Sequence, residues 1–374
     1  MRVLHLGKYW QKDGGIETHV KTLCKGLAAK GYEVVNLVSA VKNTSNRFKH
    51  NGYEVVESAS LGIVRSTSIS PKMLYDARKL NAEKEFDLIH LHFPDPMSHM
   101  VSFFLPPRIP RIISWHSDIV KQKNLLRFYR GFQIKEIMRS KAIVGATQSH
   151  FRCSTQIPKS YPKNHQYVIP YGMDFDWLSP HNSTKERSDS IKVKAEGRFL
   201  LFALGRHVEY KGFSVLLDAM VHTSAFLILA GEGPLTVELR QQVKRLSIAD
   251  RVCFVGRQSE GEIAALYHAC DAFCLPSITT NEAFGIVQVE AMASRKPVIC
   301  TQLNNGVNEV NLDGVTGLTV PAGDPFKLAA AINRLACDRD FCLVLGANAE
   351  RHAKNRFSCS RMVDEYHALY TGNY

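Results

Sequence analysis

Short apolar runs alternate with longer amphipathic stretches along the chain, and the alternation occurs twice. The first series of predicted strands is 2–7, 33–39, 87–93, 111–117, 142–148 and 167–172. The second is 199–206, 225–232, 251–257, 272–277, 297–302 and 317–322. Most are nearly continuous runs of Val, Ile, Leu and Phe, the pattern of parallel strands buried on both faces. The stretches between them have helical spacing; in 20–30, Val20, Leu23, Cys24 and Leu27 share one side. Strand–helix repetition of this kind predicts doubly wound α/β domains.

The segment 179–197, SPHNSTKERSDSIKVKAEG, is polar and charged and separates the two series. It predicts a linker between a domain over 1–178 and another over 198–355. The last stretch, 356–374, has helical periodicity and is expected to pack back on the first domain. The predicted architecture is two facing Rossmann-like domains with an active-site cleft between them. Ligands of open α/β sheets bind beyond the carboxyl ends of the strands, so the informative residues should follow strands.

A chain of 374 residues accommodates two domains. No apolar run reaches the ~18 residues of a membrane span, and the opening MRVLHLGKYW is too short an apolar run for a signal peptide. Nine cysteines without a CxxC pair argue against structural zinc and a disulfide framework, and point to a reducing cytoplasm. Cys270 and Cys274, four apart, read as ordinary core. The net charge of +12 changes the picture only through its distribution. Between 101 and 141 nine Lys and Arg face two acids, and Lys121, Lys123, Arg127 and Arg130 alternate with apolar residues. This stripe is a solvated helix face or a basic patch for an anionic membrane surface. A nucleic-acid partner is not expected, because no basic–aromatic recognition module accompanies the charge.

Candidate chemistry follows the strands. Gly14 and Gly15 precede a predicted helix, either as a plain turn or as a backbone site for an anion. Gly205 ends a strand, and Arg206 and Lys211 follow on a short loop that suits a diphosphate. Gly231 and Gly256 end the next two strands and fit a pocket for a nucleotide base. In EAFGIVQVE, Glu282 and Glu290 are eight residues apart, with a helix starting near Gly285 or Ile286. Eight helical residues rise ~12 Å, more than the ~5–9.5 Å between paired glycosidase carboxylates. The spacing predicts two contacts along one extended ligand, with an anion at the helix start between them. His116 and Asp118 follow another strand, where His116 would hydrogen-bond a sugar hydroxyl or position an acceptor. His90 and His92 alternate on one strand; no third ligand has metal-site spacing, so they read as core histidines.

Taken together, GGIETHV, SWHSDIVKQK, IPYGMD, GRHVEYKG, EAFGIVQVE and DGVTGLTVPAGDP resemble the family 4 retaining glycosyltransferases of GT-B fold, over nearly the whole chain. The bacterial O-antigen and polysaccharide mannosyl- and hexosyltransferases look nearest. The resemblance implies a UDP- or GDP-hexose donor and a glycan acceptor carried on polyprenyl diphosphate. It places the enzyme peripherally at the inner face of the plasma membrane. It implies that Gly15 and its neighbours bind the diphosphate and that Arg206 and Lys211 neutralise it. Glu282 would hold the donor sugar, the backbone of Phe284, Gly285 and Ile286 sugar and phosphate, Glu290 the ribose, and His116 the sugar 6-hydroxyl. Where many members carry a Gly-Gly-Pro-Glu-like turn, this chain has Asn304, Asn305 and Gly306. No cofactor and no divalent metal are expected, because no acidic pair of DxD type follows a strand. A nucleotide-sugar epimerase or a phosphorylase on the same plan is the alternative.

Overall fold

The computed structural model describes residues 1–11, 14–64, 67–119, 123–179 and 182–374; side chains are described there except at 64, 123–128 and 182–183. In chain order the first half runs β1 (Arg2–Leu6), α1 (Gly15–Ala29), β2 (Glu33–Ser39), β3 (Asn46–His50), β4 (Tyr53–Ser58), β5 (Gly62–Val64), β6 (Thr67–Ile69), α2 (Pro71–Glu83), β7 (Leu88–Phe93), α3 (Pro96–Phe103), β8 (Arg111–Trp115), α4 (Lys123–Arg139), β9 (Ala142–Gly145), α5 (Ser149–Arg152) and β10 (Gln166–Val168). The second half runs α6 (Asn182–Lys194), β11 (Leu200–Leu204), α7 (Phe213–Met220), β12 (Phe226–Ala230), α8 (Thr236–Arg245), β13 (Val252–Gly256), α9 (Glu260–Ala269), β14 (Ala272–Leu275), α10 (Ile286–Ala293), β15 (Val298–Gln302), α11 (Gly306–Val310), β16 (Gly317–Pro321), α12 (Pro325–Cys337), α13 (Arg339–Arg356) and α14 (Cys359–Thr371).

The chain divides into two compact units, Met1–Met173 with Cys359–Tyr374, and Asp174–Ser358. In the first, the described residues form a sheet of order β10-β9-β8-β7-β1-β2-β4-β3, parallel except for β3 against β4. The β3–β4 hairpin and the small β5–β6 pair were outside the predicted strands. The hairpin does carry a sequence signal: it turns on Asn51–Gly52, both with positive φ, the pair favoured in two-residue hairpin turns. α14 completes this unit by lying on α1, where a Cβ on Gly26 would collide with Val363. Lys30 Nζ reaches Asp364 Oδ1 at 2.6 Å between the same two helices.

The second unit holds a parallel sheet of order β13-β12-β11-β14-β15-β16. Numbered from its own first strand this is 3-2-1-4-5-6, the dinucleotide-fold order, whose direction reverses between β11 and β14. Its apolar layer includes Leu201, Leu229, Leu216 and Ile332, all without solvent exposure. Truncating one such leucine to alanine costs about 3 kcal/mol.

The predicted linker is corrected here. Most of 179–197 is α6, which belongs to the second unit and packs on α9. Thr184 and Ser188, four residues apart, are buried on it. A stripe of small side chains allows a polar helix to dock without an apolar face, so polarity did not mark a linker.

Candidate functional site

The loops that leave β11 and β14 begin at the reversal point of the second sheet, and the side chains they carry meet there. Lys211 Nζ lies 2.5 Å from Glu282 Oε2, both side chains close to nine-tenths buried. Ser277 Oγ donates to the same carboxylate oxygen at 3.2 Å. Lys211 is held by a short helical turn over 209–211 that ends on Gly212 at φ 67°. A Cβ on Gly212 would strike the carbonyl of Pro276, so the two loops touch only because this residue is glycine. Arg206, on the same loop as Lys211, is exposed and its guanidinium pairs with no described residue.

Glu282 is fixed through its backbone as well. Asn305 Nδ2 donates to the Glu282 carbonyl at 2.6 Å, and Asn305 Oδ1 accepts from Val307 N to cap α11. Asn305 thus joins two strand-end loops. Asn304 sits at positive φ beside it, with its backbone N–H donating to Asn308 Oδ1 at 2.9 Å, and Gly306 is buried at the start of α11.

α10 starts just after Gly285, which has φ 71° and no side-chain cap. A Cβ there would come within 2.6 Å of Leu275 Cδ2. Phe284 is buried and its carbonyl accepts from Gln288 Nε2 at 2.6 Å. An uncapped helix start leaves backbone N–H groups and a partial positive charge for an anion. Glu290 lies farther along α10, with Oε2 2.8 Å from the hydroxyl of Tyr267. Burial raises the Glu290 carboxyl above the usual range, and the Tyr267 hydrogen bond opposes the rise. The two glutamates have separate partners, Lys211 for Glu282 and Tyr267 for Glu290.

The glycines at the other strand ends have a packing role. Gly231, at φ 106°, donates to the carbonyl of Gly256 at 2.7 Å, and a Cβ on it would strike the carbonyl of Gly205. These turns nest backbone on backbone at the edge where a ligand of this fold sits.

In the first unit, Gly14 precedes α1 and Gly15 opens it, again with no side-chain cap; a Cβ on Gly14 would meet the carboxylate of Glu17. The sheet reverses between β1 and β7, and the cross-strand register sets His5 beside His90. His116 follows β8 but is buried, and both its ring nitrogens are engaged: Nε2 with His92 Nδ1 at 3.3 Å, Nδ1 with the Tyr171 hydroxyl at 2.9 Å. It can reach a sugar hydroxyl only by giving up one of these bonds. His90 is satisfied by Tyr370 and Ser114, as expected of a core histidine. The fold brings further imidazoles up to this pair: one ring nitrogen each of His5, His90 and His92, and likewise of His19, His92 and His116, lie within 4.8 Å of one another. Those partners come from β1, α1 and the end of β8, which sequence spacing does not connect. Burial, with the neighbouring imidazoles, holds His92 and His116 well below the usual histidine value and His5 down to about 3.

The basic stripe is thinner than its composition. Lys121 lies outside the described residues, as do the side chains of Lys123 and Arg127. Asp118 accepts from Trp115 Nε1, Ser154 Oγ and Thr155 N, so it anchors a loop. Arg130 donates to the Gln156 carbonyl at 2.6 Å and to Gln133. Arg111 is buried, donates to backbone carbonyls including those of Ser102 and Leu105, and lies 3.7 Å from Glu136. These cations serve the fold because bare carbonyls at helix and loop ends need donors. An apolar surface replaces them: Met100, Phe104 and Met138 are nearly half exposed, Phe103 about a third, with Arg139 over Phe103 and Arg78 over Phe104.

Comparison with known proteins matches residues 13–177 to the family model "Glycosyltransferase Family 4" and residues 184–352 to "Glycosyl transferases group 1". D-rhamnosyltransferase WbpZ of Pseudomonas aeruginosa is 32% identical over 96% of this chain and 92% of its own. The chain is a family 4 glycosyltransferase. The glycosyltransferase is also 29% identical to the O-antigen chain mannosyltransferase C of Escherichia coli, over 99% of this chain and 98% of the relative. Its fold is the GT-B fold of solved enzymes such as Anabaena HepE in complex with UDP, which superposes with a TM-score of 0.79 at 22% identity over the whole of both chains.

Residues that the sequence reading missed in this glycosyltransferase are Ser277, Tyr267, Asn305 in its clamping role, His5 and His19. Ser277 and Asn305 do follow strands, which was the available signal. Tyr267 on α9 and His19 on α1 are marked by nothing local; their importance comes from what packs against them.

Proposed function

We propose that this glycosyltransferase moves a mannose- or rhamnose-type hexose from a UDP- or GDP-sugar to a hydroxyl of a polyprenyl-diphosphate-linked glycan, with retention at the anomeric carbon, in surface polysaccharide synthesis. The observation that carries the reading is the Lys211–Glu282 pair at the reversal point of the second sheet, next to the unpaired Arg206 and the uncapped start of α10. The printed activities of the two bacterial relatives support the sugar class.

In this reading the donor diphosphate lies at the start of α10. Arg206 and Lys211 neutralise the charge that grows on it as the glycosidic bond breaks. Glu282, held in place by Lys211, accepts from hydroxyls of the donor sugar. Glu290 accepts from the ribose, replacing or sharing its bond to Tyr267. With Glu282 engaged, the acceptor hydroxyl attacks on the face that the diphosphate leaves, and a phosphate oxygen takes its proton. The backbone at Gly14 and Gly15 and a ring nitrogen of His116 are assigned to the donor as well.

The exposed Met100, Phe103, Phe104 and Met138 with Arg78 and Arg139 support a membrane-resting face, where apolar side chains enter the interface and cations meet anionic headgroups. Among the described residues no helix is long and apolar enough to cross a membrane. The test is transfer from GDP-mannose, GDP-rhamnose and UDP-hexoses to a synthetic prenyl-diphosphate glycan, with the product anomer assigned by NMR. An axial-donor product of inverted configuration, or isomerised nucleotide sugar without transfer, overturns the reading.

A further inference from the structure

Three of the buried histidines at the carboxyl end of the first sheet form a chain. His5 Nδ1 lies 3.1 Å from His92 Nε2, His92 Nδ1 lies 3.3 Å from His116 Nε2, and His116 Nδ1 lies 2.9 Å from the Tyr171 hydroxyl. The successive rings stack on one another. His90, on the same strand as His92, is left out of the chain, because both its nitrogens meet hydroxyls. The two ends differ. His5 is fully buried and its Nε2 has no hydrogen-bond partner, whereas Tyr171 is partly exposed. The transfer reaction as assigned uses His116 alone and gives His5 and His92 nothing to do.

Burial keeps all three imidazoles uncharged, far below the ordinary histidine value. A neutral imidazole carries one N–H and one lone pair. The chain can therefore run in only two ways: every N–H points toward Tyr171, or every N–H points toward His5. The second leaves an N–H of His5 buried without an acceptor. The first leaves only a bare lone pair there, and buried orphan N–H groups are the rarer of the two in folded proteins. His5 Nδ1–H then donates to His92 Nε2, His92 Nδ1–H to His116 Nε2, and His116 Nδ1–H to the Tyr171 hydroxyl oxygen.

We infer that His5 and His92 are positioning residues for the transfer, which fix His116 as its Nδ1–H tautomer and aim that N–H at the 6-hydroxyl oxygen of the donor sugar. The inference rests on the assignment of His116 to that sugar. The bond that His116 gives up is the one to Tyr171, at the partly exposed end of the chain, while His92 keeps hold of Nε2. The hydrogen bond made by one ring nitrogen decides what the other offers. Without His92 the ring loses its hold and its proton is free to shift to Nε2, so the sugar meets a mixture of donor and acceptor.

Nitrogen NMR of the full chain with isotope-labelled histidine reads the tautomers, because protonated and bare ring nitrogens resonate far apart. The expected result is Nδ1–H at His5, His92 and His116. An Nε2–H at His116, or a doubly protonated ring there at neutral pH, overturns the inference. His92→Leu should lower kcat/KM for GDP-mannose about 10-fold, the scale of one hydrogen bond. His92→Asn, whose amide nitrogen stands where Nδ1 stood, should recover most of the rate and the Nδ1–H tautomer of His116. GDP-rhamnose carries a 6-deoxy sugar and should be transferred equally well by the parent and by His92→Leu. Equal losses with both donors mark a merely structural role and overturn the inference, as do a failure of His92→Asn to rescue and transfer from GDP-rhamnose but not GDP-mannose. A parent chain that transfers no hexose defeats the transferase reading instead, and the tautomers still decide which way the chain runs.

Discussion

Lys211 and Glu282, 71 residues apart in the chain, form a 2.5 Å ion pair across the point where the second sheet reverses direction. Each is the other's compensation, because neither side chain is more than about an eighth exposed. Glu282→Gln and Lys211→Met should each destabilise the protein by about 3 kcal/mol, the scale of a broken buried pair. The double variant should recover most of that stability. Turnover should stay at least ~100-fold down in all three. Urea unfolding beside steady-state kinetics reads both quantities; near-normal transfer by Glu282→Gln would refute its role at the sugar.

Arg206 offers the contrasting case. It is exposed and unpaired, so Arg206→Ala should leave stability within about 0.5 kcal/mol. If it meets the leaving diphosphate, kcat should fall by ~10–100-fold while donor affinity changes less, because the charge it serves grows in the transition state. Equal losses in kcat and donor binding, or no loss, would remove it from the site.

In the proposed reading, fixed cations and the start of α10 stand in for a divalent ion at the diphosphate. Transfer should therefore persist in excess EDTA. Loss of turnover that Mg²⁺ or Mn²⁺ restores would contradict this.

The apolar face at Phe103 and Phe104 should bind membranes. Phe103→Ser with Phe104→Ser should lower recovery on anionic vesicles by ~10-fold or more, from lost apolar burial. Flotation at low salt measures it. Equal recovery of the parent chain on neutral and anionic vesicles would leave Arg78 and Arg139 without a role there.

Buried neutral histidines make the fold acid-sensitive. Burial lowers His5 and His99 to about 3 and His19 to about 4, from an ordinary value of 6.5. Below pH 6.5 the unfolded chain takes up protons that the folded chain refuses. Stability is therefore full above 6.5 and falls as the pH drops toward 3. Each such histidine contributes at most ~1.4 kcal/mol per pH unit. Urea midpoints at pH 7.5, 6.5 and 5.5 should fall slightly over the first step and much further over the second; a flat series would contradict neutral burial.

Much of this protein was readable before its structure. Every strand of the second sheet was expected within about two residues of its place, because strands buried on both faces are written as apolar runs. Arg206, Lys211, Glu282 and Glu290 stood out because ligand residues of such folds follow strands. The β3–β4 hairpin was missed although its Asn51–Gly52 turn was in view, since β3 is mostly exposed and polar.

Local pattern determined the strands, the helices and the loops that carry chemistry, because periodicity and turn preference act over a few residues. Tertiary structure decided who meets whom. Strand order set β11 beside β14 and so joined Lys211 to Glu282. Strand register set His5 beside His90, and the packing of α1 brought in His19. It turned Arg111 and Arg130 inward to carbonyls that composition counts as nothing, and made a docked helix of a segment that reads as a linker. Sequence distance carries no trace of these pairings, since they depend on which strands become neighbours and on which buried polar groups lack a partner.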